Sequence, residues 1–309
     1  MRIVFAGTTT NAVDVLRYLV EQGRHQICAV LTREDAPVGR KQLLTESPVA
    51  AYAGSQGLRV IKVNRLNADT NELIAETNPE LGLVIAYGAL LKQASLEIPN
   101  HGWLNIHYSM LPKWRGAAPV QRALMAGDTE SGVTIFQLNE GMDTGPIHAQ
   151  VAATIEPDDN AKTLLDRLTN VAISMLDETL SKIDAGIATP AAQVGTSTHA
   201  AKLSRADAQI DWNNSASHIE NLVRGAYPEP IAWAKVDTEA IRIIKARRHG
   251  SVPSQLDNVE IGTALLIDSL ALVKTGNGVL QLIEVQPASK NIMPASDWLR
   301  GKHGRLVLS

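Results

Sequence analysis

Cysteine is almost absent from this sequence, which has one, Cys28, in 309 residues. A single thiol excludes a disulfide framework within the chain and a metal site built from several cysteines. Because Cys28 lies in an apolar run typical of a strand, we predict a small buried side chain there. The cysteine usage favours a reducing compartment, and we expect a cytoplasmic protein.

Long apolar runs and nucleotide-binding loops are missing as well. No apolar stretch reaches about 18 residues, the length that spans a bilayer, and the run at 1–7 is too short for a secretory signal. The turn after that run contains Gly7, but neither G-x-G-x-x-G nor G-K-[ST] follows. We therefore predict a soluble protein without a dinucleotide fingerprint or a P-loop.

Basic residues are fewer than acidic ones, with 29 Lys and Arg against 32 Asp and Glu. The formal net charge is −3 at pH 7, which argues against general nucleic-acid binding. The charge is uneven, because residues 201–309 carry 13 Lys and Arg against 11 Asp and Glu, which leaves the first 200 residues acidic. The C-terminal part can therefore bind a polyanion, although a solvated surface of mixed charge gives the same pattern.

The sequence does contain two kinds of hydrophobic pattern, and its length exceeds that of a usual single core. Strand, turn and helix patterns alternate near the start, and 81–87 is a near-continuous apolar run typical of a central parallel strand. Short strand-like runs separated by Gly and Asn turns follow after residue 230. They are 231–236, 240–246, 263–267, 270–273 and 279–285.

These patterns predict an α/β fold in two domains. We expect a Rossmann-like, doubly wound and mostly parallel sheet at 1–188. A segment rich in Ala, Thr, Ser and Pro at 189–204 is the predicted linker. A small, OB-like β-barrel is expected at 205–309.

Polar side chains cluster around two strand-like runs. Alternation puts Asn105 and His107 on the same face of the run 102–107, and the run 132–138 leads into a turn that carries Asp143. Asn105 can donate to an oxyanion, and His107, if protonated, can share that role or protonate a leaving nitrogen. Asp143 can hold the imidazolium and raise its pKa. These groups suit acyl transfer to an amine, although an ordinary core or surface histidine fits the spacing too.

The residues around this cluster resemble the signature of the formyltetrahydrofolate-dependent formyltransferases, most closely the members that act on methionyl-tRNA. The resemblance is carried by NIH at 105–107, SMLPKWRGAAP at 109–119, GVTI at 132–135 and DTG at 143–145. It implies an enzyme that transfers the formyl group of 10-formyltetrahydrofolate, a diffusible cosubstrate, to the α-amine of initiator methionyl-tRNA. No metal is implied, and we expect a monomer.

The resemblance also implies roles for individual residues. The family's catalytic Asn, His and Asp fall on Asn105, His107 and Asp143. Its folate-binding run falls on Ser109, Met110, Leu111 and Pro112, with Met110 where the family usually has Leu, a swap that conserves volume.

Contacts with tRNA are implied at three places. Residues 32–47 show little periodicity and predict a long loop, in which the family's basic contact to the acceptor end falls on Arg40. Lys202, near the predicted junction, faces either tRNA or a carboxylate. Lys245, Arg247 and Arg248 cluster after a predicted strand, where they form a tRNA contact or a solvated loop.

Other functions stay open at this point. An aminosugar formyltransferase, glycinamide ribonucleotide formyltransferase and formyltetrahydrofolate hydrolase share the chemistry, although the last two lack a comparable barrel. A non-catalytic tRNA-binding protein on the same fold would not need the polar cluster. The turn at 7–11, GTTTN, departs from the family's usual Gly-Thr-Pro-Asp/Glu-Phe.

Overall fold

The structure is a computed structural model that describes residues 1–39 and 41–309. Its internal contacts divide the chain into two compact units. The first unit comprises Met1–Pro119, Glu130–Thr154 and Leu165–Ala200. The second comprises Val120–Thr129, Ile155–Leu164 and Ala201–Ser309. The domain boundaries predicted from the sequence remain a proposal.

Strands and helices alternate up to residue 200, as the hydrophobic pattern predicts. The strands are β1 (Arg2–Gly7), β2 (Gln26–Thr32), β3 (Ala36–Val38), β4 (Leu43–Thr45), β5 (Val60–Lys62), β6 (Leu81–Ile85), β7 (Trp103–His107), β8 (Arg115–Gly116), β9 (Glu130–Gln137), β10 (Ile147–Thr154) and β11 (His199–Ala200). The helices are α1 (Thr10–Gln22), α2 (Pro48–Ser55), α3 (Ala68–Ala75), α4 (Gln93–Leu96), α5 (Pro119–Ala126) and α6 (Ala161–Asp184).

The main sheet of the first unit has the strand order β10-β9-β7-β6-β1-β2-β5. The strands from β7 to β5 in this order run parallel, whereas β9 and β10 are antiparallel to their neighbours. The order reverses between β1 and β6, so this sheet is doubly wound as predicted. Ligands of such sheets bind beyond the carboxyl ends of the strands near the reversal, where β1, β6 and β7 end.

Local sequence signals explain where the helices start and stop. The Ser47 side chain accepts a hydrogen bond from the Ala50 amide and caps α2, in which Pro48 occupies the first turn. Helix α1 ends at Gly23, whose φ of 61° is left-handed and costs glycine no Cβ clash. Strand β6 is buried along its whole length, which accounts for its continuous apolar run.

The largest fully buried side chain, that of Trp103 on β7, lies against β6. Its indole nitrogen donates to the Ser95 carbonyl at 2.8 Å, so the polar atom is satisfied inside the core. Gly82 on β6 leaves room for the ring, because a Cβ at that position would overlap the indole.

The second unit contains the strand-like runs predicted after residue 230. Its strands are β12 (Trp233–Val236), β13 (Glu239–His249), β14 (Thr263–Ile267), β15 (Leu270–Lys274), β16 (Val279–Pro287), β17 (Met293–Pro294) and β18 (Arg305–Val307). Its helices are α7 (Ala216–Ala226) and α8 (Ala295–Arg300), with short 3-10 turns at Ala206–Ala208 and Ser254–Leu256.

An antiparallel sheet with the order β12-β13-β16-β15-β14-β18 curls into a barrel. The backbones of Lys235 on β12 and Ser309, just after β18, exchange hydrogen bonds of 2.6 and 3.0 Å, which join the two ends of the sheet. The five predicted strands are confirmed. Two short strands, β17 and β18, lacked a periodic signal in the sequence.

Two segments differ from the loops that the sequence predicts. Within 32–47, β3 and β4 pair as an antiparallel hairpin whose apolar side chains are exposed, so neither burial nor alternation marks it in the sequence. The basic cluster near residue 247 lies within β13 rather than after a strand, because β13 continues to His249.

The predicted linker also contains ordered contacts in the first unit. Ala191 pairs with Ile147, and β11 runs parallel to β8. The Thr198 hydroxyl accepts a hydrogen bond from the Trp114 amide at 2.8 Å. Among the described residues, no helix is long and apolar enough to cross a membrane.

Gly82→Ala should lower the free energy of unfolding by about 1–3 kcal/mol, because the added methyl group overpacks the Trp103 ring. Chemical denaturation followed by circular dichroism measures the change. Gly54→Ala is the control, since Gly54 lies in α2 with open space around it and alanine favours a helix. Equal stability of the Gly82→Ala variant and the wild type would contradict the packing described.

Candidate active site

The two polar side chains singled out from the sequence, Asn105 and His107, lie in the C-terminal half of strand β7. In the antiparallel pairing with β9, Asn105 lies opposite Phe136 and His107 lies opposite Thr134. All four side chains therefore project from one face of the sheet, as alternation predicts. Asn105 is half-buried and His107 is buried, with 5% of its side chain exposed.

The imidazole of His107 is held by the backbone that follows it. Its Nε2 atom lies 2.8 Å from the carbonyl oxygen of Trp114. A carbonyl oxygen can only accept a hydrogen bond, so Nε2 carries a proton. The ring also meets Phe136 edge to face, with 6.3 Å between centroids. Both contacts fix the plane of the ring.

Asp143 approaches the other ring nitrogen from its own turn. One carboxylate oxygen, Oδ2, accepts a hydrogen bond of 2.7 Å from the Gly116 amide and lies 3.7 Å from His107 Nδ1. The Asp143 backbone is left-handed, with φ of 51°, which aspartate tolerates better than most residues. Gly145 is required nearby because a Cβ there would overlap the Gln137 carbonyl.

No hydrogen atom lies between His107 Nδ1 and the Asp143 carboxylate that faces it. With the proton of neutral imidazole on Nε2, Nδ1 presents a lone pair towards a carboxylate that is too distant for a direct hydrogen bond. Burial lowers the pKa of His107, whereas Asp143 and the hydrogen bond to Trp114 act in the opposite direction. The expected effect of Asp143 therefore exists, but burial outweighs it. His107 can accept a proton at Nδ1 and then form an ion pair.

Most side chains of the run predicted to bind folate are buried within the first unit. The side chains of Ser109, Leu111 and Pro112 are buried, and Met110 is half-buried. Thr134 holds this run, since its hydroxyl donates to the Ser109 carbonyl at 2.6 Å and accepts from the Leu111 amide at 3.3 Å.

Gln150 supports the same run from β10. Its amide donates to the Leu111 carbonyl at 3.0 Å and to the Thr134 hydroxyl at 2.8 Å. The half-buried Met110 side chain is therefore the part of the run that a ligand can contact.

The unusual turn before α1 joins a buried polar cluster. The Asn11 amide donates to the Tyr108 hydroxyl at 3.0 Å, and that hydroxyl is also hydrogen-bonded to the Thr169 hydroxyl at 3.2 Å. Thr9 donates in turn to the Asn11 side-chain oxygen at 2.5 Å. A polar residue is thus satisfied at the place where the resembled family usually has Phe.

Of the five cations predicted to contact tRNA, Arg40 lies outside the described residues. Lys202 and Lys245 are exposed. Arg247 donates to Gln281 at 3.0 Å, and Arg248 forms a 2.7 Å ion pair with Glu220. Of the three cations on β13, Arg248 is therefore paired with a carboxylate, Arg247 is bonded to a neutral amide, and Lys245 is exposed.

Arg224, which the sequence did not single out, lies next to two of these cations. Arg224, Lys245 and Arg247 line one cavity of about 240 Å³ in the second unit. The Arg224 guanidinium donates to the carbonyls of Asp159 and Glu156 at 2.6 and 2.8 Å. Within the described residues, no group of three His, Cys, Asp or Glu side chains is arranged to hold a metal ion.

Comparison with known proteins gives this geometry a context. The model of the formyl transferase family matches residues 1–180, and the model of its C-terminal domain matches residues 202–303. The chain belongs to the formyl transferase family. The family's first model spans Asn105, His107 and Asp143, and the second spans the barrel.

Full-length relatives lie within this family. The chain is 44% identical over 301 residues to the methionyl-tRNA formyltransferase of Paenarthrobacter aurescens (strain TC1), with 97% of each chain covered. It is 42% identical over 309 residues to that of Leifsonia xyli subsp. xyli (strain CTCB07), with 100% of each covered.

A solved structure of the family shares the fold. The methionyl-tRNA formyltransferase from Clostridium thermocellum superimposes with a TM-score of 0.59 at 17% identity, with 82% of this chain and 95% of that chain covered. At this identity the likeness concerns the architecture alone.

Sequence reasoning missed the residues that hold the site together in this family member. Thr134, Gln150 and Gln193 act on backbone groups that lie far away along the chain. Thr134 belongs to the GVTI run, so the family signature marked its position without indicating its role. Gln193 carried no signal, because it lies in a stretch without periodicity.

Asp143→Asn should lower the pKa of His107 further, because it removes the charge that opposes the effect of burial. NMR titration of protein labelled with ¹³C-histidine measures this pKa, and the missing signal of a His107→Ala variant assigns it. Glu140→Gln is the control, since it removes an exposed carboxylate from the same turn. An unchanged or raised pKa in Asp143→Asn would contradict the assigned pair.

Proposed function

We propose that this protein transfers the formyl group of 10-formyltetrahydrofolate to the α-amine of initiator methionyl-tRNA. The observation that carries the proposal is the 44% identity to a methionyl-tRNA formyltransferase along 97% of both chains. The catalytic roles proposed here for Asn105, His107 and Asp143 rest on the family resemblance and on the geometry at the end of β7. We also propose that the protein acts as a cytoplasmic monomer.

A folate cosubstrate is consistent with a related structure of the same fold. A sugar 3N-formyl transferase was solved in the presence of dTDP and 5-N-formyl-THF, and it aligns with a TM-score of 0.66 at 18% identity, with 94% of this chain and 99% of that chain covered. In this protein we assign folate to the run from Ser109 to Pro112, where the Met110 side chain is half-buried.

We assign His107 the transfer of a proton from the attacking nitrogen to the leaving nitrogen. The amine nitrogen forms a bond to the formyl carbon and loses a proton, while the bond from that carbon to N10 breaks and N10 gains one. His107 holds its Nε2 proton on Trp114, so Nδ1 takes up the proton from the attacking nitrogen and returns one to the leaving nitrogen. The Asp143 carboxylate stabilises the imidazolium between these steps.

Asn105 supplies the electrostatic part of the reaction. Its amide lies one alternation before His107 on the same face and is half-buried, so a bound molecule can reach it. As the amine attacks, negative charge develops on the formyl oxygen. An amide N–H aimed at that oxygen favours the transition state over the ground state.

The second unit carries most of the proposed tRNA contacts. We assign tRNA phosphates to the exposed Lys245 and Arg247 side chains on β13, which line one cavity together with Arg224 and the acidic residues Asp158, Glu220 and Glu284. Arg248 contributes less, because Glu220 already neutralises it. Lys202 and Arg40 are assigned to tRNA by the family resemblance.

The direct test is incubation of the protein with methionyl-tRNA and a folate donor labelled in its formyl group. Label should appear on the methionine of the tRNA. The same reaction with dTDP-aminosugar or glycinamide ribonucleotide in place of methionyl-tRNA should leave the acceptor unlabelled. Labelling of either small acceptor without labelling of methionyl-tRNA would overturn the proposal.

Asn105→Ala and His107→Ala should each lower kcat by about a hundredfold or more, with KM for methionyl-tRNA little changed, because both groups act on charge that develops in the transition state. Asn105→Asp is the matched variant, since it keeps the shape but replaces the donor with an acceptor. Steady-state kinetics at saturating folate measures the effect. A rise in KM alone would contradict these roles.

Replacing Lys245 and Arg247 together with Ala should weaken tRNA binding and flatten the log–log salt dependence by up to about 2, because each lost phosphate contact removes about 0.7–0.9 from the slope. Arg248→Ala should have a smaller effect because of its ion pair with Glu220. Filter binding at several salt concentrations measures the slope.

Arg242→Ala is the control for the loss of a single positive charge from this strand. Arg242 is an exposed arginine on the same strand and is not among the residues that line the cavity with Lys245 and Arg247. A wild-type salt slope in the double variant would place tRNA elsewhere.

A further inference from the structure

Gln193 differs from the residues around it. The stretch from 191 to 199 is exposed, and Val194 reaches 87% exposure, whereas Gln193 is partly buried. A glutamine that turns inward from an exposed, irregular segment needs partners for both its donor and its acceptor atoms. The structure supplies partners for both.

The Gln193 amide group holds the Asp143 turn. Its Nε2 atom donates to the carbonyl oxygen of Asp143 at 2.8 Å and to that of Gly145 at 2.9 Å. The Asp143 carbonyl precedes Thr144 and the Gly145 carbonyl follows it. One side chain therefore fixes the orientation of the turn around Thr144. Both hydrogen bonds act on the backbone and leave the Asp143 carboxylate free to face His107.

The other end of the same amide holds the residue between the two anchors of the site. Gln193 Oε1 accepts from the Arg115 guanidinium at 2.6 Å through Nη2 and at 3.2 Å through Nε. Arg115 lies between Trp114, whose carbonyl accepts from His107, and Gly116, whose amide donates to Asp143. A closed ring of hydrogen bonds thus joins Gln193, the Asp143 turn and the 114–116 segment.

We propose that Gln193 is a positioning residue that keeps the Asp143 carboxylate within reach of His107. This inference rests on the proposed function, because positioning matters for catalysis only if His107 and Asp143 handle the proton. The need for such support is visible in the backbone. Asp143 has a left-handed φ of 51°, a conformation that persists where surrounding contacts impose it.

Removal of the amide should release the turn without unfolding the unit. The Gly116 amide still binds Asp143 Oδ2, so the carboxylate stays nearby, but the turn loses two further hydrogen bonds. A displacement of about 1 Å in a catalytic group can cost about a hundredfold in rate. The effect should fall on kcat, because Gln193 makes no proposed contact with substrate.

Two substitutions separate the two ends of the side chain. Gln193→Met keeps the length and removes every hydrogen bond. Gln193→Glu keeps an acceptor for Arg115 but sets a carboxylate against the carbonyls of Asp143 and Gly145. If the turn is what matters, both variants lose activity to a similar extent.

The matched control is Gln26→Met. Gln26 also accepts from an arginine, since Arg2 Nη1 donates to its Oε1 at 2.7 Å in the same unit. This substitution removes a comparable arginine contact at the start of β2, outside the 102–145 region that forms the site.

Two measurements on the full-length protein test the proposal. In steady-state formylation of methionyl-tRNA, Gln193→Met and Gln193→Glu should each lower kcat by about ten- to a hundredfold with KM little changed, and Gln26→Met should behave as the wild type. In NMR titration without any substrate, Gln193→Met should lower the pKa of His107 in the same direction as Asp143→Asn but by less. Asp143 is the charged group that acts on His107, so a role confined to stability would leave this pKa unchanged.

The outcomes are distinct. Wild-type kcat in either Gln193 variant, or an unchanged His107 pKa in Gln193→Met, would overturn the positioning role. Activity retained by Gln193→Glu alone would assign the side chain to Arg115 and would also overturn it. If the wild-type protein did not formylate methionyl-tRNA, the proposed function would fail, and the substrate-free titration would still decide whether Gln193 positions Asp143.

Discussion

The candidate site depends on one short piece of backbone, the turn from Trp114 to Gly116. Its carbonyl at Trp114 accepts from His107, and its amide at Gly116 donates to Asp143, so three consecutive residues set both members of the pair. Backbone groups are well suited to this task because their direction is fixed by the fold and does not depend on a rotamer. The pairing of β8 with β11 holds the turn in place.

Burial of the His107 ring and the nearby Asp143 carboxylate act on the pKa of His107 in opposite directions. A buried imidazolium is costly, and burial accordingly lowers the pKa of His107. Burial keeps the ring neutral, its one N–H donates to the Trp114 carbonyl, and a carboxylate lies 3.7 Å from the unprotonated Nδ1. The charged state is thus unfavourable at rest and stabilised when a proton arrives, which is what a group that relays a proton during formyl transfer requires.

Much of this could be predicted from local sequence patterns. Alternation placed Asn105 and His107 on one face, the turn residues placed Asp143 on a loop, and the short runs after residue 230 predicted the barrel strands correctly. Each of these inferences depends on neighbours within a few residues. The doubly wound, mostly parallel sheet followed from the alternation of strands and helices.

Other features depend on contacts between distant residues and left no local signal. Gln193 and the Asp143 carbonyl are 50 residues apart, and the stretch around Gln193 has the composition of a linker. The β3–β4 hairpin is exposed on its apolar side, so burial does not mark it. The direction of the His107 pKa shift depends on how deeply the folded chain buries the ring, which spacing alone does not give.

The most direct test of the account is the protonation state of the His107 ring in the free protein. ¹⁵N NMR of histidine-labelled protein at neutral pH distinguishes the two neutral tautomers from the imidazolium, with His107→Ala for assignment. The account predicts a neutral ring with its proton on Nε2, held by the Trp114 carbonyl. A proton on Nδ1 alone, or an imidazolium at neutral pH, would contradict it.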